Sequence, residues 1–202
     1  MRNANPHLLK QPSLFAMFCL SYLPLLFLLI VKVVMANKSF LHYGGFNKES
    51  IITFTEKFGF VIILVLLSLY AVIGTKLTLA NIKRIKSNAF PVTISSIKPK
   101  NEEALSYLAT YVLPLLAQGQ IGYFEYIAFV VLFGIYYKLY ATSSLILINP
   151  ILNLKYGLYE VEYLKGGTTI PKSAMIISEN KWINEEDDLQ IVKLSHRLYF
   201  AY

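Results

Sequence analysis

Asn101–Leu116 reads NEEALSYLATYVLPLL: two acids stand before an uncharged run that carries Ser106, Tyr107, Thr110, Tyr111 and Pro114. Such a run reads as a membrane helix with polar groups on it, and a helix that faces only lipid does not need them. Ser106/Thr110 and Tyr107/Tyr111 are spaced i, i+4 and share a face, where small polar side chains suit helix packing within or between subunits. The segments on either side have to supply hydrophobic partners, so the chain reads first as an integral membrane protein.

The composition agrees. Of 202 residues, 55% are hydrophobic and 15% charged, and the mean hydropathy is +0.50. The apolar residues fall in long blocks rather than on one face of a regular period. Cys19 is the sole cysteine, so no internal disulfide can form. The net charge of +7 is uneven. Residues 1–149 hold 13 Lys/Arg against 5 Asp/Glu, and residues 150–202 hold 6 against 7. The basic excess therefore belongs to the membrane portion and its loops, as membrane topology demands, which argues against direct nucleic-acid binding.

Outward from the opening stretch, four spans are expected, at about 13–36, 58–80, 104–122 and 123–141. Pro24 should kink the first. The Gln11–Val31 block has 21 uncharged residues, too long for a signal-peptide core, and reads as a retained span. Lys83, Arg84, Lys86, Lys98 and Lys100 crowd the loop between the second and third spans, so the positive-inside rule puts that loop and both termini in the cytoplasm. Leu145–Leu154 is expected to lie along the membrane or under the bundle. Beyond it, Tyr156–Leu164, Ser173–Ser178 and Gln190–Leu194 are short strand candidates. The expected fold is thus an all-α membrane bundle of four transmembrane helices (residues 1–154) with a small, mostly β cytoplasmic region (residues 155–202).

No constellation carries chemistry. His7, His42 and His196 are scattered without ligand spacing, so neither a metal nor a cofactor is expected. Lys165-Gly166-Gly167-Thr168-Thr169 has its lysine ahead of the glycines and reads as a hairpin turn, not a phosphate loop. Glu102 and Glu103 suit the N-terminus of the third span, where the helix dipole favours negative charge. No nucleophile–base pair is evident, and no catalytic residue is expected. The tail's Tyr156, Tyr159, Glu160 and Glu162, with the acidic run Glu185, Glu186, Asp187 and Asp188, offer a surface for a protein partner.

At residues 101–116, and again at INPILNLKYGLYEVEY (residues 148–163), the sequence resembles the KwaA family, membrane subunits of the Kiwa anti-phage defence system. The resemblance implies a multi-pass sensor in the bacterial inner membrane that assembles as a homo-oligomer, possibly a tetramer. It also implies a partner: a soluble DNA-binding effector, KwaB-like, with this chain itself touching no DNA. Two other readings stand beside this one, a small channel or pore-forming effector and a lipid-directed enzyme. Ion flux through reconstituted protein would separate the channel from the sensor.

Overall fold

In the computed structural model, residues 9–42, 45–84, 86–99, 123–142, 149–165, 170–194 and 197–202 are described. The chain enters through α1 (Gln11–Ser21) and α2 (Leu23–Ala36). Pro24 occupies the first turn of α2, where its missing N–H and fixed φ are tolerated. The two helices meet at Tyr22 with a bend of 60°, so the kink expected from Pro24 is present.

The longest element is α3 (Lys48–Arg84), 37 residues. Asn47 caps it, its Oδ1 accepting from Ser50 N at 2.8 Å. Glu49 in the first turn and Lys83 and Arg84 in the last complement the helix dipole. α1 and α3 pack closely: a Cβ added at Gly74 would sit 2.7 Å from that of Ala16, so only glycine allows this approach. Two further helices are α4 (Tyr123–Thr142) and the single turn α5 (Pro150–Asn153).

Five strands form a closed barrel in the order β1-β2-β3-β5-β4. They are β1 (Phe90–Pro99), β2 (Gly157–Lys165), β3 (Lys172–Ser178), β4 (Asp188–Lys193) and β5 (Leu198–Ala201). The β3–β5 pairing is parallel and the others are antiparallel. Closure leaves no edge strand to template aggregation. Val92, Ile94, Val161, Ile176 and Ile191 fill the interior, each gaining about 1.5–3 kcal/mol from burial.

The barrel sits on the helices through a shared core. Phe18, Leu26 and Tyr22 of the helical part join Leu158, Ile177, Val192 and Phe200 of the barrel in one cluster. α1, buried from Ala16 to Ser21, contributes Phe18 to this shared core. Three polar contacts lock the junction: Leu9 N donates to Leu194 O at 2.9 Å, Tyr202 Oη donates to Ile82 O at 2.7 Å, and Lys83 pairs with Glu179.

The four-span, all-α bundle is overturned. Among the described residues, one helix, α3, is long and apolar enough to cross a membrane, or two if the bent α1–α2 pair is taken as a single span. The segment expected at 58–80 lies within α3. The expected span at 123–141 coincides with α4, but its apolar part, Ile127–Lys138, is shorter than a crossing. The expected span at 104–122 lies outside the described residues. Nor is the β region confined to the tail: its fifth strand, β1, comes from the stretch read as a basic loop. The physical reason is local and visible. Phe90–Ser95 alternates Val92 and Ile94 with Thr93 and Ser95, a period of two that suits a half-buried strand, and the nearby lysines had hidden it.

A candidate partner-docking face

β1 organises the acidic residues. On one side it pairs with β2, setting Ser96 opposite Glu162 and Lys98 opposite Glu160. On the other it pairs with β4, setting Thr93 opposite Asp188. Glu162 and Asp188 therefore flank the same strand, about 14 Å apart by strand spacing and rise.

The acidic loop is held, not loose. Ile94 N donates to Asp187 O at 3.0 Å, and Glu186 N donates to Ile94 O at 2.8 Å. Thr93 Oγ1 donates to Asp188 Oδ1 at 2.6 Å, and Asn184 N donates to Asp187 Oδ2 at 2.8 Å. Glu186 takes a φ of 72°, the left-handed conformation of a tight turn. The loop's backbone and two of its carboxylates are thus spent on shape, while Glu185 and Glu186 point their charge into solvent.

The tail divides differently. Glu162 is exposed and Glu160 half-buried. Tyr156 and Tyr159 are buried, so their rings belong to the core. Tyr156 meets Phe200 edge-on, and Tyr159 Oη donates to Lys181 O. Burial pushes the Tyr159 phenol above its ordinary value, a backbone hydrogen bond at Ile183 opposing this. Ser106, Tyr107, Thr110 and Tyr111 lie outside the described residues. Among those described, no three of His, Cys, Asp and Glu are grouped to hold a metal.

Two contributors escaped the sequence reading. Thr93 and Ser95 stand outward on β1, Ser95 Oγ donating to Glu162 O at 3.0 Å. Their alternation with Val92 and Ile94 was the signal.

The face and its support fall inside one family unit. A family profile described as anti-phage protein KwaA matches residues 13–200. The chain belongs to the KwaA family of anti-phage proteins. The resemblance drawn at residues 101–116 and 148–163 therefore holds across helices and barrel alike. No curated protein and no solved structure matches this KwaA-family chain.

Proposed function

We propose that this KwaA-family chain is a non-enzymatic sensor and scaffold in anti-phage defence. It is anchored in the bacterial inner membrane by α3 and holds a soluble, DNA-binding, KwaB-like effector on the barrel's acidic face. One observation carries the reading: a long apolar helix whose surface is uncovered leads directly into a barrel with acids gathered on one side.

Only 22% of the most apolar stretch of α3 is buried. Ile62, Ile63, Leu66, Leu69, Ile73 and Leu77 are exposed, a contiguous surface that water does not tolerate. At about 1.5 Å per residue α3 spans about 55 Å, against about 30 Å for the hydrocarbon core. Lys83 and Arg84 at its barrel end favour a cytoplasmic barrel.

The charge suits a protein partner with a basic surface, as DNA-binding proteins have. It does not suit DNA itself. Small five-stranded barrels elsewhere bind oligonucleotides across strands 2 and 3; here β2 turns Glu162 outward, which repels phosphate. As for sensing, α1 packs on α3, shares one core cluster with barrel residues and is joined to α2 at a 60° bend. A change in lateral pressure acting on that bend would reach the barrel through the shared core, as a switch of this kind requires.

The test is charge reversal at Glu162→Lys with Glu185→Lys. Both side chains are exposed, so the doubly substituted chain should accumulate in membranes as the parent does and lose co-purification of the effector. Wild-type recovery of the effector would remove this face from consideration.

A further inference from the structure

We infer that the barrel carries its own contact with the lipid headgroup layer, made by Trp182 and Lys181 of the β3–β4 loop together with Leu154 and Lys155 after α5. The inference rests on the membrane reading of α3 and adds a second, peripheral attachment to it.

Trp182 is the sole tryptophan of the chain and is 83% exposed, while Leu154 is 74% exposed. Neither packs in the core, yet both stand on ordered supports. Lys181 Nζ donates to Leu154 O at 2.7 Å, tying the loop to the end of α5. Trp182 N donates to Asn180 Oδ1 at 3.0 Å, and the Tyr159 hydroxyl holds Lys181 O from within the barrel. The loop is thus fixed with its indole turned out.

Its height is fixed as well. Glu179, the first residue after β3, is engaged by Lys83 from the last turn of α3. That ion pair neutralises Glu179. α5 is bound to α1 by Asn149 Nδ2, which donates to Met17 O at 2.9 Å, and α1 crosses α3 at Gly74. The loop that follows Glu179 therefore starts where α3 passes from apolar residues to Lys83 and Arg84, the depth of the headgroups, and Lys181 joins the end of α5 to that loop. An exposed indole and a leucine beside two lysines match that layer, where amphipathic rings settle and cations meet anionic lipid phosphates. Lys155 is exposed, its Nζ 5.8 Å from the centre of the Tyr156 ring.

The single tryptophan makes the test direct. The full chain is reconstituted in lipid nanodiscs, which leave both membrane faces open to solvent, with phosphatidylcholine alone or mixed with phosphatidylglycerol. Trp182 emission should shift to the blue and resist acrylamide compared with N-acetyltryptophanamide. Lipids brominated near the headgroup should quench it, most strongly in the anionic discs. Lys155→Gln with Lys181→Gln should abolish the difference between the two lipid mixtures. Acrylamide access equal to that of the free amide, in chain that co-elutes with discs, overturns the contact and leaves the membrane reading of α3 standing. Protection from acrylamide without quenching by brominated lipid means that protein covers the indole, and also overturns it. Failure of the chain to enter discs or to resist carbonate extraction from vesicles overturns both.

Discussion

Asn149 shows how much a single side chain can hold when it is fully buried. It is 0% exposed, its Nδ2 donates to Met17 O, and its Oδ1 accepts from Leu152 N at 3.1 Å, capping α5. One amide thereby fastens the segment before β2 to α1. Asn149→Ala removes the cap and leaves a buried carbonyl without that donor, which should cost about 1–3 kcal/mol. The expected outcome is a lower melting temperature in detergent, with membrane insertion unchanged. Sequence reading placed Leu145–Leu154 along the membrane or under the bundle but could not say which residue tied it there. An asparagine before a proline reads equally as a turn, and its partner lies 132 residues away.

At the scale of elements, the barrel depends on β1, and its interior is sensitive both to volume and to charge. Ile94 is 0% exposed, so Ile94→Ala should cost about 2–5 kcal/mol and lower the barrel's unfolding temperature. If β1 were only a loop, the change would do almost nothing. The second lever is pH. Burial, reinforced by the neighbouring Tyr199 hydroxyl, pushes the Tyr163 phenol from 10.0 up to about 12. The folded state thus binds this proton more tightly than the unfolded chain does. Its contribution to stability is whole below pH 10.0 and is lost as pH rises towards about 12. Denaturant midpoints across that window should fall with pH, and fall less in Tyr163→Phe. β2, β3 and β4 were legible because alternation and β-branched residues mark them locally. β1 carried the same mark but stood among lysines, and charge density decided the reading wrongly there.

For the molecule as a whole, the question is where the apolar surface goes. Ile63 is 61% exposed in the middle of α3. Ile63→Lys should disfavour insertion by about 2.5–3.5 kcal/mol, so more of the chain should be extracted by alkaline carbonate. Extraction equal to the parent's would mean that this surface meets protein rather than lipid.

What the sequence settled alone is what composition and short-range period encode: the apolar excess, the kink at Pro24, three of the five strands and, through two stretches of residues, the family. What only the tertiary structure decided is which distant segments meet. Thr93 and Asp188, 95 residues apart, share a hydrogen bond, and the β1–β4 pairing to which they belong closes the barrel and brings the acids to either side of β1. Periodicity reports the face a residue turns inward. It carries no information about the partner strand, because the free energy that selects the partner arises only once both have left water together.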